Sequence, residues 1–364
     1  MLKQRNIFFF LPNFSIGGAG NSIFNICNKI NDKNKSIKVI SIGKNHYKNK
    51  FQKIGIKVIE INTKKTIFGI FKIIDILKKN SNNKKIIFVS NINYANVLSS
   101  IFIKNIKNLK LILIERTPFQ ELETYFNFTD FLKKKIIFYL SKIFYKRANY
   151  IIGNSLDVSN YIKKKLNLDI LTIYPIIKKG KVKTLKNKKI LTISWIGRNS
   201  KEKNLSDFLL AINLLKSEKI QINIVSNNLT KKDISQVTSK DIYKKIKIYN
   251  YSHDKSFLKK IYINTNIFVN TSIYEGFPNT IVEAVNYECL VISSKSYGGR
   301  REIIKNNKYG LLYNTYNHLQ LYKKIKFAIH NYDKCKDKIL AAKENIINMA
   351  NINNNKYKKF FNTI

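Results

Sequence analysis

Asn266–Asn286 reads NIFVNTSIYEGFPNTIVEAVN. The apolar run at 266–270 is short and continuous, as in a strand buried on both faces. A loop carrying Glu275 and Gly276 follows. Pro278 suits the first turn of a helix over 279–287, where its missing N–H costs nothing, and Glu283 falls about one turn into that helix. Strand, loop and helix make one βα unit, and the whole chain is written in that unit.

In the second half, strands are expected at 189–196, 220–225, 245–249, 266–270, 289–293 and 310–313. Helices are expected at 203–216, 230–238, 254–262, 279–287, 300–306 and 316–331. In the first half the strands fall at 6–11, 37–42, 56–61, 85–90, 110–115, 149–153 and 170–174, with helices at 19–30, 67–79, 93–104, 119–147 and 155–166. Such alternation predicts α/β structure with helices on both sides of parallel sheets. The pattern lapses over 175–188, where Pro175 precedes the polar stretch KKGKVKTLKNKK. That stretch reads as a linker between domains at 1–178 and 179–345, with a basic, helical tail at 346–364.

The chain has 364 residues, 44% hydrophobic and 24% charged, enough apolar material for two cores and incompatible with a wholly disordered chain. Three isolated cysteines, Cys27, Cys289 and Cys335, make no disulfide framework and fit a reducing compartment. The net charge of +45 invites a nucleic-acid reading. The lysines are spread along the entire chain, however, amid abundant Asn and Ile, which fits biased codon usage, and no nucleic-acid motif is present. Residues 6–16 (NIFFFLPNFSI) are too short and too broken by Pro12 and Asn13 to span a bilayer, so they read as a buried first strand and the protein as cytoplasmic.

Four strand-to-helix loops are candidates for chemistry. The first runs from Leu11 to Gly20, where Gly17 and Gly18 let a ligand approach a helix N-terminus. It lacks the third glycine and the acidic residue of a dinucleotide site, and a plain turn is the alternative. The second holds Gly197, Arg198 and Lys203, two cations beside a helix start that suit a diphosphate. The third, the opening quotation, places Glu275 and Glu283 eight residues apart. They read either as acceptors for sugar and ribose hydroxyls or as a helix-dipole cap and a surface charge. The fourth holds Gly298, Gly299, Arg300, Arg301 and Glu302; its arginines add positive potential.

Gly197-Arg198 with Lys203, Glu275-Gly-Phe-Pro-Asn-Thr-x-x-Glu283 and Gly298-Gly-x-x-Glu-Ile-Ile304, together with the early glycine loop, resemble glycosyltransferase family 4. The resemblance implies the GT-B fold, two Rossmann-like domains facing each other across a cleft. It also implies retaining transfer from a nucleotide-sugar donor, with UDP the more frequent carrier, to a glycan or lipid-linked acceptor in surface polysaccharide synthesis. In that pattern Arg198 and Lys203 hold the donor diphosphate, Glu275 contacts the donor sugar and Glu283 the ribose. Backbone N–H groups around Gly276, Phe277, Pro278, Asn279 and Thr280 help to bind the donor. Gly17 and Gly18 approach the phosphate and acceptor. Family members often carry a His at the end of a middle strand of the first domain. Here the segment reads Leu-Ile-Leu-Ile-Glu115-Arg116, so Glu115 or Arg116 takes that place, or Glu115 merely pairs with Arg116.

No cofactor and no metal are expected. The chain has no D-x-D, and His46, His253, His318 and His330 lack ligand spacing. Fixed cations do the work of a metal on a leaving diphosphate. Over 131–151 (FLKKKIIFYLSKIFYKRANYI), Ile136, Tyr139, Leu140, Ile143 and Phe144 share a helical face amid lysines. That suits peripheral contact with an anionic membrane; the alternative is an ordinary helix packed on the first sheet. A non-catalytic basic protein binding nucleic acid or a membrane surface is the competing function.

Overall fold

The computed structural model describes residues 5–14, 17–81, 85–178, 190–252 and 254–364. The chain divides into two compact units, one of residues 1–176 with 352–364, the other of residues 177–351. The expected linker falls largely on 179–189, outside the described residues, as do Ser15, Ile16 and His253.

The strands of the first unit are β1 (Arg5–Phe10), β2 (Lys35–Ile42), β3 (Lys57–Ile61), β4 (Ile86–Asn91), β5 (Leu109–Glu115), β6 (Tyr150–Gly153) and β7 (Leu171–Thr172). They form one parallel sheet in the order β3-β2-β1-β4-β5-β6-β7. The second unit holds β8 (Leu191–Ile196), β9 (Ile220–Ser226), β10 (Ile246–Asn250), β11 (Ile267–Asn270), β12 (Leu290–Ser294) and β13 (Leu311–Tyr313), ordered β10-β9-β8-β11-β12-β13. Both are parallel, Rossmann-like sheets.

Continuous apolar runs become parallel strands because both faces are covered. β1 illustrates the point: Phe8 and Phe10 enter the core on one face while Ile7 and Phe9 enter the core on the other, all four wholly buried. Each crossover helix begins just beyond the carboxyl end of a strand, so the loops there carry the chemistry.

Three expectations are corrected. The helix expected over 119–147 is a 3-10 turn (Phe119–Glu123), a helix (Phe128–Phe144) and a second 3-10 turn (Tyr145–Arg147). The break is made by Asn127, whose side chain accepts from the Asp130 amide and restarts the helix. The helix expected over 93–104 ends at Leu98 and continues as a π turn through Ile103. The end of the chain is not a tail. Helix Lys336–Asn353 is followed by helix Lys356–Thr363, which buries Tyr357 and Phe361 in the first unit. There the Phe361 ring meets Phe9 at 5.7 Å and its carbonyl accepts from Arg5 at 2.7 Å.

Candidate active site

The site is built where β8 and β11 end side by side. Beyond β8 the chain makes a 3-10 turn (Lys201–Lys203), then takes a left-handed residue at Asn204 (φ 48°). Two bonds fasten this turn to the chain beyond β11: Thr271 Oγ1 donates to the Lys203 carbonyl at 2.7 Å, and the Ile273 amide to the Glu202 carbonyl at 2.8 Å. Trp195 Nε1 donates to the same Thr271 hydroxyl at 2.9 Å. Gly197 has no room for a side chain, since a Cβ there would come within 2.9 Å of the Trp195 ring.

So fastened, Lys203 Nζ reaches Glu275 Oε1 at 2.7 Å. The same oxygen accepts from Ser272 Oγ at 2.6 Å and Asn270 Nδ2 at 3.3 Å. Arg300, wholly buried, donates to the Ser272 carbonyl at 2.9 Å and to Ser294 Oγ, so it braces the segment that carries Glu275. Burial alone would raise the Glu275 pKa. The positive charges of Lys203 and Arg300, with hydrogen bonds from Lys203 and Ser272, overcome it and hold the carboxyl at about 2. Glu275 is therefore a fixed carboxylate at any physiological pH, an acceptor for hydroxyl groups and not a proton donor.

The fourth loop closes over this point. Gly298 sits at φ +113°, and a Cβ on it would lie 1.5 Å from the Glu275 carbonyl oxygen. The Gly299 amide donates to the Gly276 carbonyl at 2.7 Å. Gly276, Phe277 and Pro278 are buried beneath, with Pro278 at the N-cap of helix Asn279–Asn286. Asn279 and Thr280, half-buried, open that helix, whose first amides lack intrahelical acceptors.

The other expected residues are held elsewhere. Arg198 is exposed and pairs with Glu202 at 2.9 Å. Glu283 accepts from the buried Tyr262 hydroxyl at 3.0 Å, and Tyr262 stacks on Tyr287. The structure thus joins Lys203 to Glu275 directly, while Arg198 and Glu283 keep separate partners. Ser272, Asn270 and Tyr262 were not foreseen; their residue types carry no signal without the fold.

In the first unit, Gly17 caps helix Gly18–Ile30, its carbonyl accepting from Tyr47 at 3.1 Å, and the space where a Cβ would stand is open. Glu115 and Arg116 part company at the end of β5. Glu115 is fully buried, accepting from Asn96 Nδ2 at 2.6 Å and from the Tyr145 hydroxyl. Burial raises its pKa to about 8 against those hydrogen bonds, so it is an interior, protonated group at neutral pH. Arg116 instead donates to Asn91 Oδ1 at 2.9 Å.

Residues 177–345 match the model of the glycosyl transferases group 1. The match lies within the second unit and takes in Gly197, Lys203, Glu275 and Glu283. A Campylobacter jejuni N-acetylgalactosamine-N,N'-diacetylbacillosaminyl-diphospho-undecaprenol 4-alpha-N-acetylgalactosaminyltransferase is 24% identical over 196 residues, 54% of this chain and 47% of that protein. The chain spans less than half the length of the curated relatives it matches, 24% and 47%. Among solved structures, HepE of Anabaena in complex with UDP superposes with a TM-score of 0.76 at 16% identity, covering 99% of this chain and 100% of that one. Sucrose-phosphate synthase of Thermosynechococcus elongatus superposes with a TM-score of 0.80 at 13% identity, with the same coverage. These likenesses are of fold, and the fold they share with this chain is GT-B.

Proposed function

We propose that this protein is a group 1 glycosyl transferase, retaining and hexosyl-type. It would move a sugar from a nucleotide-sugar donor, UDP-linked by preference, to a glycan or lipid-linked acceptor in surface polysaccharide biosynthesis (capsule, O-antigen or lipopolysaccharide). The observation that carries the reading is the Lys203–Glu275 pair set on buried Arg300. An ammonium beside a permanent carboxylate is suited to grip a phosphate and a sugar hydroxyl at adjoining positions. The Campylobacter relative is named for a diphospho-undecaprenol acceptor and HepE was solved with UDP; both favour this substrate class.

In the proposed reaction the bond between the anomeric carbon and the donor phosphate oxygen breaks while the acceptor oxygen bonds to the same face of the sugar. Negative charge builds on the leaving diphosphate, where Lys203 and the exposed Arg198 meet it. Glu275, ionised throughout, accepts hydrogen bonds from donor sugar hydroxyls, and Glu283 serves the ribose. The acceptor proton passes to a leaving phosphate oxygen. Because cations of the chain neutralise the diphosphate, we propose metal-independent transfer, with no cofactor, on the cytoplasmic side of the membrane.

The test is a panel of nucleotide sugars screened by thermal shift, then by transfer of labelled sugar with and without a chelator. A donor that stabilises the protein and supports chelator-resistant transfer with retained anomeric configuration agrees with the proposal. Tight RNA binding with no donor affinity contradicts it.

A further inference from the structure

Helix Phe128–Phe144 has two apolar faces. Ile137, Phe138 and Leu140 pack against the core of the first unit. A second stripe turns outward: Phe128 is 72% exposed, Ile136 58% and Tyr139 66%, with Leu132 and Ile143 completing a three- and four-residue spacing. Core packing accounts for one stripe and leaves the other unexplained.

Helix Thr66–Asn80 repeats the arrangement at its start. Ile70, Ile73 and Leu77 are buried, whereas Ile67, Phe68 (58%) and Phe71 (50%) are exposed. Helix Asn93–Leu98 packs against both of these helices, and Phe71 rests on Phe102 at 5.5 Å, so all belong to the layer over one face of the sheet. Exposed Lys64, Lys65 and Lys72 flank the shorter stripe, and exposed Lys133, Lys135 and Lys142 the longer one. Of the acidic groups on these two helices, Asp130 is tied to Lys134 at 2.9 Å and exposed Asp75 marks where the shorter stripe ends.

We propose that the two helices form one docking face for an anionic lipid surface, the rings entering between head groups and the lysines resting on their phosphates. The sequence pattern had confined such a face to residues 131–151; the structure adds the second helix. Among the described residues no helix is long and apolar enough to cross a membrane, so the contact lies in the plane of the surface. It rests on surface geometry alone and stands apart from the catalytic reading.

The experiment is co-sedimentation of the full chain with vesicles, either pure phosphatidylcholine or one part phosphatidylglycerol to two parts phosphatidylcholine. The double variants Phe68→Ser with Phe71→Ser, and Ile136→Ser with Tyr139→Ser, keep every charge. Should the first lower the melting temperature through the Phe102 contact, Phe68→Ser alone carries that arm. The proposal predicts binding to the anionic vesicles only, weakened by salt, and at least about tenfold weaker binding for each variant. Undiminished binding of both variants would leave diffuse charge as the whole cause and overturn it, as would equal binding to the neutral vesicles. A dimer of the wild type, broken by the same substitutions without effect on vesicle binding, would make the face an interface between copies and overturn it too.

Discussion

Lys203 Nζ lies 2.7 Å from Glu275 Oε1 across 72 residues of chain, and this ion pair welds the loop after β8 to the loop after β11. Both members are mostly covered, with side-chain exposures of 20% and 12%, so water screens the pair less than a surface pair. In the proposed reaction it sets a phosphate-binding cation and a hydroxyl-binding carboxylate side by side.

Replacing Glu275 by Gln keeps the shape and one acceptor oxygen but removes the charge that fixes Lys203. We expect a folded protein whose kcat/KM for transfer falls at least about 100-fold, roughly 2.7 kcal/mol of transition-state stabilisation. Wild-type turnover by the variant would take Glu275 out of the site.

The low pKa of Glu275 has a consequence for acid stability. Its folded value of about 2 lies below the ordinary glutamate value of 4.5, so the stabilisation is complete above pH 4.5 and is lost as pH falls toward 2. The difference bounds the effect at roughly 3 to 4 kcal/mol. The gap between denaturant melts of the wild type and Glu275→Gln should be wider at pH 6 than at pH 3; a constant gap between them would contradict the assignment.

Glu115 titrates in the opposite sense. Its folded value of about 8 lies above the ordinary glutamate value of 4.5, so between those pH values the folded state holds a proton that the unfolded chain has lost. Stability from this group is therefore full below pH 4.5 and declines as pH rises to 8, by at most about 1.4 kcal/mol per unit. Glu115→Gln removes that slope. The melting temperature of the variant, relative to wild type, should climb between pH 5 and pH 8; a flat difference would show that Glu115 is ionised in the folded protein.

Gly298→Ala is expected to be severe. Its Cβ would meet the Glu275 carbonyl oxygen at 1.5 Å, in a backbone at φ +113° that L-residues rarely adopt. We expect a loss of about 3 kcal/mol or more in chemical denaturation, with donor affinity falling alongside because Glu275 must shift. An Ala variant as stable as wild type would contradict the packing described here.

The β-strands were legible in the sequence because buried parallel strands are continuous apolar runs, and each expected strand has its counterpart among β1 to β13. What stayed hidden depended on single side chains or on distant partners. Asn127 breaks a helix that periodicity alone runs through. Tyr357 and Phe361 sit in an Asn- and Lys-rich segment that composition reads as a tail, yet they find a pocket beside Phe9, more than 300 residues away. In the site, the glycine, arginine, lysine and glutamate positions stood out by type and spacing. The direct pairing of Lys203 with Glu275 did not, since nothing local brings the two loops together. Nor could the sequence say that Glu115 and Arg116 are both buried; Tyr145, 30 residues on, holds the first and Asn91 the second.

The central claim of the proposal is that the second unit grips a nucleotide sugar through Lys203, paired with Glu275, and through the exposed Arg198. Calorimetric titration of the wild type and an Arg198→Ala, Lys203→Ala double variant with the stabilising nucleotide sugar tests it most directly. The account predicts saturable one-to-one binding by the wild type and at least about a 100-fold weaker Kd for the variant, two charge-assisted contacts having been removed. Equal affinity in the two proteins, or no heat of binding from any nucleotide sugar, would contradict it.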